Sequence, residues 1–243
     1  MKICFFLENN KAGGLDTFVK NLLIYWPNAN DKLILFYNDS HPGIKFLKIH
    51  FKNKNIKILK YRSFEKIYDK LTIIQKIQRY IKNIFLFNHK INYFYKLFKK
   101  NKFDRILFIQ GGYPGGQSSN AAIFAWDKFS IHKPWFNFHN FAAETRKWDF
   151  FREILNFKIS NKIEGFISVS KVCLKSINKI KYFRKLRQKY IYNFGANCLF
   201  SRKQGYLNRK IFTVNFSSPA VLYVNQTGQV FFIFFSPVRT LQS

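Results

Sequence analysis

Acidic residues are scarce in this sequence, and none occurs after Glu164. The 12 Asp and Glu residues stand against 42 Lys and Arg residues, so the formal net charge is +30. A charge of this sign attracts anionic lipid and nucleic acid. The basic residues are spread along the whole chain, whereas a nucleic-acid-binding protein commonly gathers them on one arm or face. We therefore expect no specific binding of nucleic acid.

Cysteine is also rare, and Cys4, Cys173 and Cys198 form no C-x-x-C pair. The missing pair argues against a zinc site. Each cysteine lies in or beside an apolar run, where a buried free thiol is the common outcome. These features suggest a reducing compartment.

Long apolar runs are missing as well. No uninterrupted stretch approaches the roughly 18 residues that span a bilayer. The N-terminal apolar run ends at Glu8, which makes it too short for the core of a signal peptide. We expect a cytoplasmic protein that makes peripheral contact with anionic lipid on the inner face of the cell membrane.

Short apolar runs rich in Ile, Phe and Val take the place of long ones. Segments of helical period separate most of them, and such alternation predicts a parallel sheet covered on both faces. The predicted fold is an α/β, Rossmann-like parallel sheet with helices on both faces. The runs lie at residues 3–7, 33–37, 56–59, 106–109, 135–138, 166–169 and 190–192.

Segment 64–102 contains neither glycine nor proline and predicts one or two long amphipathic helices, broken near Asn88 and His89. A basic helix of this kind packs on a core or lies on anionic lipid. Its predicted buried face consists of Ile67, Leu71, Ile74, Ile77, Ile81 and Ile84.

Two glycine turns follow predicted strands. Gly13 and Gly14 precede a segment whose apolar residues repeat at helical spacing, so they are expected at a helix N-terminus, where the macrodipole favours an anion. The second turn, at residues 111–116, lies between a strand and a helix rich in small residues. Glycine permits close backbone approach to a ligand, but a tight turn that only packs closely is the alternative for both turns.

Polar residues also follow two later strands. His139 and Asn140 end the run at 135–138, and a neutral imidazole can exchange hydrogen bonds with a sugar hydroxyl near pH 7. A structural histidine at a strand end is the alternative. Ser168 and Ser170 are expected to cap a helix rather than to act in catalysis. No pair of acids has the arrangement of a glycosidase, which disfavours hydrolysis.

These segments together resemble the N-terminal, acceptor-side domain of a GT-B fold glycosyltransferase of family 4, whose members use nucleotide sugars and retain anomeric configuration. The matching segments are 12–19, 111–116, 138–140, 167–170 and 191–193. The resemblance implies a hexosyltransferase-type reaction in the assembly of cell-surface polysaccharide or lipid-linked glycans. The nucleotide sugar is a co-substrate, the other partner is a saccharide or lipid-linked acceptor, and neither a cofactor nor a bound metal is implied.

The resemblance also implies roles for individual residues. Gly13 and Gly14 would lie beneath the diphosphate of the donor. His139 would point into the same cleft as the catalytic candidate, in contact with the transferred sugar or the acceptor. The remaining substrate-binding candidates are the wall residues Gly111, Gly112, Tyr113, Gly115 and Gly116, with the Tyr113 ring as a stacking face, together with Asn140 and Glu144.

The end of the chain loses the alternation of strands and helices from about Leu199. We expect a Rossmann-like domain at residues 1–198 and an irregular, atypical tail at 199–243. In the family that the sequence resembles, a second domain with a glutamate pair spaced E-x7-E completes the site, so the expectation is a truncated enzyme with little turnover of its own. The alternative is a noncatalytic basic α/β module that binds an anionic membrane or nucleic acid.

Overall fold

The computed structural model describes residues 1–52, 54–64, 72, 75, 78, 81–82, 84–143 and 150–190, and the backbone of strands at 220–224 and 230–234. In this part of the chain, seven parallel strands form one sheet with the order β3-β2-β1-β4-β5-β6-β7. The predicted fold class is confirmed. The strands are β1 (Lys2–Glu8), β2 (Lys32–Asn38), β3 (Ile56–Tyr61), β4 (Arg105–Gln110), β5 (Trp135–Phe138), β6 (Gly165–Ser168) and β7 (Arg187–Tyr190).

Helices cover both faces of this sheet because the strands are apolar on both sides. One face packs against α1 and α2, and the other packs against α3 to α6. The last strand lies earlier than its predicted position at 190–192. The helices are α1 (Gly14–Ile24), α2 (Ile44–Phe51), α3 (Phe87–Asn101), α4 (Gln117–Phe129), α5 (Phe150–Ser160) and α6 (Lys171–Ile177), and a 3-10 helix spans Lys181–Phe183.

The predicted buried face of segment 64–102 is wrong where the structure describes it. Ile81 and Ile84 are 48% and 37% exposed. The buried stripe lies further along the chain, at Ile91, Phe94 and Phe98 of α3, which pack on the sheet. Helical spacing predicted a stripe but could not decide which turns of the segment reach the sheet. Ile67, Leu71, Ile74 and Ile77 lie outside the described residues.

Two further strands, β8 (Ala220–Val224) and β9 (Val230–Phe234), pair antiparallel within the predicted tail. The boundary predicted at residue 198 lies outside the described residues. Cys4 and Cys173 are buried free thiols, as expected. Among the described residues, every helix is too short or too polar to cross a bilayer.

Candidate functional site

The candidate site lies at the carboxyl edge of three adjacent strands, β1, β4 and β5. Because the strands are parallel, the turns that follow them meet at the same edge of the sheet. From β1, the sheet continues through β2 and β3 on one side and through β4 and β5 on the other, so the strand order reverses between β1 and β4. Parallel α/β sheets commonly bind ligands in the crevice at such a reversal of strand order. The two glycine turns and His139 all belong to this edge.

The first glycine turn is open. Gly13 precedes α1, and Gly14 is the first residue of the helix. A methyl group placed at the Cβ position of either glycine would meet no atom of the described residues within 4 Å. The turn therefore leaves space above the N-terminus of α1, where backbone N–H groups and the helix dipole favour an anion.

A buried pair of side chains supports this turn from below. Asp16 Oδ2 accepts a hydrogen bond from the Gly13 N–H at 2.9 Å, and Asp16 Oδ1 lies 2.8 Å from His41 Nε2. Burial acts to raise the pKa of Asp16, but the hydrogen bonds from His41 and Gly13 outweigh it and hold that pKa below its ordinary value. Sequence reasoning missed both residues. An acid three positions after a helix N-cap was the available signal for Asp16, and His41 carried none.

The second glycine turn is filled by the protein's own side chains. Gly115 has a φ of 65°, and a Cβ there would lie 1.8 Å from Gln110 Oε1. A Cβ on Gly116 would lie 2.0 Å from Glu8 Oε1. The Glu8 carboxylate accepts hydrogen bonds from the N–H groups of Ser118 and Ser119, at 3.1 and 2.7 Å. The N-terminus of α4 is thus capped by an internal anion.

The expected wall of Gly115 and Gly116 therefore needs correction, because the space beside these two glycines is occupied from within. Tyr113 also departs from its expected role as a stacking face. It is 2% exposed, its ring packs against Phe136, Phe166 and Phe183, and its hydroxyl donates to Asn156 Oδ1 at 2.6 Å. Burial raises the pKa of Tyr113. The ring belongs to the hydrophobic core, because burial of its large apolar surface outweighs the cost of burying one hydroxyl group.

Gly111 and Gly112 hold the turn that carries His139. The carbonyl oxygen of Gly111 accepts hydrogen bonds from the N–H groups of His139 and Asn140, at 3.1 and 2.6 Å. A Cβ on Gly112 would lie 3.5 Å from Asn140 Cβ. The structure thus brings the start of the second glycine turn into contact with the end of β5. Asn140 itself is exposed.

His139 lies on the side of the sheet that α1 covers. Its ring centroid is 4.4 Å from that of Phe18 on α1, with the rings edge to face at 71°. Its Nε2 lies 2.9 Å from Oδ1 of Asn137, a buried residue of β5 that sequence reasoning missed. Burial lowers the pKa of His139 to about 4, so the imidazole is neutral near pH 7. Through Phe18, this ring contacts α1, the helix that begins at the first glycine turn.

The serines of β6 and the following turn have structural roles: Ser170 caps a helix, as expected, whereas Ser168 bonds to the neighbouring strand instead. Ser168 Oγ donates to the carbonyl oxygen of Phe138, and Ser170 Oγ accepts the N–H of Cys173 at 3.1 Å as the N-cap of α6. Glu144 lies outside the described residues.

A cleft of about 270 Å³ lies at the opposite, amino edge of the sheet, between the end of α4 and the start of β5. The full length of the strands separates this cleft from the glycine turns. We therefore place the candidate site at the carboxyl edge, where the chemistry-bearing residues meet. The cleft is lined by Asp127, Lys128, Phe129, Ser130, Ile131, His132, Lys133 and Lys162.

No protein-family model and no curated protein matches this chain. Among solved structures, it is similar to HepE of Anabaena in complex with UDP, with 12% identity and a TM-score of 0.48 over 81% of this chain and 45% of that one. It is also similar to MurG of Acinetobacter baumannii, with 12% identity and a TM-score of 0.45 over 79% and 44% of the two chains.

A third similar structure is UDP-GlcNAc 2-epimerase from Neisseria meningitidis bound to UDP-GlcNAc, with 10% identity and a TM-score of 0.42 over 74% and 43%. The chain thus spans less than half the length of each of these proteins.

Proposed function

We propose that this chain carries the acceptor-side domain of a retaining, nucleotide-sugar-dependent glycosyltransferase that acts in the assembly of cell-surface polysaccharide or lipid-linked glycans. One observation carries the proposal. The open glycine turn of α1 and the neutral imidazole of His139 lie on the same edge and the same side of one parallel sheet, joined through Phe18. The open helix N-terminus suits a diphosphate, and the neutral imidazole suits a sugar hydroxyl.

The diphosphate of the donor is assigned to the N-terminus of α1. Gly13 and Gly14 give a ligand direct access to the backbone there, and α1 is long enough to carry a dipole. The Asp16 carboxylate opposes an anion, but both of its oxygens are engaged by Gly13 and His41.

The sugar is assigned to the side of His139. A neutral ring has one nitrogen that donates and one that accepts, which suits a hydroxyl group. With a pKa of about 4, this ring is a poor proton donor at neutral pH. We therefore assign His139 a hydrogen-bonding role towards the transferred sugar or the acceptor, with Gly111 and Gly112 as its backbone support.

Amide chemical shifts of the nitrogen-15-labelled chain test this function. Inorganic pyrophosphate and UDP-glucose are titrated at about 0.3 M salt, where non-specific attraction to a basic surface is weakened. We expect shifts at the amides of Gly13 and Gly14 with both ligands, and at His139 with the nucleotide sugar. Shifts confined to the basic loop at 127–133, on the opposite edge, would overturn the assignment.

A matched pair of variants separates charge from size at the open turn. Gly14→Glu and Gly14→Gln add side chains of the same size to a position with free space. If an anion binds there, the Glu variant should weaken pyrophosphate binding by about tenfold more than the Gln variant. Equal affinities for the two variants would contradict binding at this turn.

A second candidate function is docking on an anionic membrane, and the outer face of α5 favours it. Phe150, Ile154 and Phe157 repeat at helical spacing and are 74%, 54% and 51% exposed. The neighbouring Lys158 is exposed as well, and the chain carries a net charge of +30. An apolar stripe that inserts among lipids, with lysines at the headgroups, is the usual arrangement of an interfacial helix.

Sedimentation with vesicles tests this second function. Replacing Phe150, Ile154 and Phe157 together with serine should reduce binding to vesicles that contain phosphatidylserine by about tenfold. Replacing the exposed Ile131, on the amino edge of the sheet, with serine is the control and should have no effect. If duplex DNA competes fully and the triple variant binds vesicles normally, the attraction is general electrostatics and the stripe plays no part.

A further inference from the structure

The side-chain amide of Asn137 lies between a backbone carbonyl oxygen, which only accepts hydrogen bonds, and the ring of His139. Asn137 is 1% exposed in β5. Its Nδ2 donates to the carbonyl oxygen of Ile167 on the neighbouring strand β6, at 3.4 Å. Because a carbonyl oxygen only accepts, this contact sets the orientation of the amide. The amide oxygen is then the atom that faces His139 Nε2, at 2.9 Å.

This orientation decides which nitrogen of His139 carries the proton. The Oδ1 atom of Asn137 can only accept, so the hydrogen bond requires a proton on Nε2. In a neutral ring, the other nitrogen, Nδ1, then has a lone pair and no proton. Phe18 packs edge to face on the same ring and opposes its rotation. The backbone contacts from Gly111 to His139 and Asn140 hold the turn itself.

We infer that Asn137 is a positioning residue, which holds His139 in the tautomer with the proton on Nε2, so that Nδ1 is the ring atom with the lone pair that accepts hydrogen bonds. The identity of the ligand as a sugar rests on the proposed function, but the tautomer does not. In this arrangement His139 orients a hydroxyl group and does not protonate a leaving group.

Nitrogen-15 spectra of the histidine rings test the tautomer directly. The His139→Gln variant identifies the signals of His139 among those of the five histidines. In the wild-type chain, the spectrum should show a protonated Nε2 and an unprotonated Nδ1 at pH 7. A protonated Nδ1 in the wild type would overturn the inference.

Two variants of Asn137 separate positioning from packing. Asn137→Leu keeps the branching at Cγ and removes the acceptor, so the ring should lose its preference for one tautomer. Asn137→Asp keeps an acceptor beside Nε2, so it should restore the tautomer and, through its negative charge, raise the pKa of His139 by more than about one unit. An unchanged tautomer in the Leu variant would contradict the role of Asn137. The folding of both variants is checked by circular dichroism.

A sugar titration distinguishes failure of this inference from failure of the proposed function. If UDP-glucose shifts the Nδ1 signal of wild-type His139 and not that of the Leu variant, both are supported. If the tautomer is as expected but no nucleotide sugar perturbs the ring, the sugar-binding function fails while the positioning role of Asn137 stands.

Discussion

The two glycine turns at the carboxyl edge of the sheet share a composition but differ in what surrounds them. A side chain added at Gly13 or Gly14 would point into open space, whereas one added at Gly115 or Gly116 would collide with Gln110 or Glu8. Both turns precede a helix with a carboxylate near its N-terminus, but Asp16 belongs to α1 itself and accepts the N–H of Gly13, whereas Glu8 reaches α4 from β1 and accepts the N–H groups of Ser118 and Ser119. Glycine thus leaves the backbone accessible to a ligand in the first turn and permits close packing of side chains in the second.

Gly115→Ala should have the largest effect on this comparison. The residue has a φ of 65°, which costs about 1 kcal/mol for a residue with a Cβ. The new methyl group would also displace the buried Gln110, whose Nε2 donates to the carbonyl oxygen of Gly112. We expect a loss of about 3 kcal/mol in the free energy of unfolding. Denaturant titration measures this loss, and a loss below about 1 kcal/mol would mean that the second turn is not tightly filled.

Glu8→Ala should come next. It removes the carboxylate that caps α4 and leaves the N–H groups of Ser118 and Ser119 without their acceptor, at a cost of about 2 kcal/mol. The variant also opens the second turn to an external anion. Phosphate should therefore raise the melting temperature of Glu8→Ala more than that of the wild type, which would make the second turn resemble the first. An equal increase in both proteins would contradict the capping role.

The imidazole between the two turns gives a smaller effect, which depends on pH. The pKa of His139 is about 4 in the folded chain against about 6.5 when unfolded, so the unfolded chain binds more protons between these values. Stability from this group is complete above pH 6.5 and falls as the pH decreases towards 4. We expect a loss of about 1.4 kcal/mol by pH 5.5. In denaturant titrations, His139→Gln should lack this part of the pH dependence.

Gly14→Ala should have the smallest effect. The methyl group meets no neighbour, and alanine favours a helix over glycine by up to about 1 kcal/mol. Stability should stay the same or rise slightly, in contrast to Gly115→Ala. A loss of more than about 1 kcal/mol would show that the first turn is as closely packed as the second, and the comparison between them would fail.

The strands and the turns that follow them were predictable from the sequence because period and glycine content are local properties. The first six strands lie at their predicted runs, and Gly13, Gly111 and His139 lie at the ends of neighbouring strands, as the alternation of elements indicated. What surrounds each turn was not predictable. Glu8 reaches Gly116 from another strand, and no local pattern records such a contact.

Side-chain direction was the second limit. Tyr113 lies in a glycine-rich loop that suggested exposure, but the loop turns its ring into the core. The buried residues Asp16, His41 and Asn137 were missed for a related reason, because the role of each depends on a hydrogen-bond partner at the edge of the sheet. Sequence pattern pointed to the candidate site, and tertiary contacts decided which of its residues face outwards.

The contact between Glu8 and α4 has a consequence for cooperativity. The cap of this helix is supplied by the end of β1, which pairs with β4, so the first turn of α4 is complete only when β1 has joined the sheet. Hydrogen exchange at the amides of Ser118 and Ser119 should therefore follow the opening of the sheet and not the fraying of the helix end.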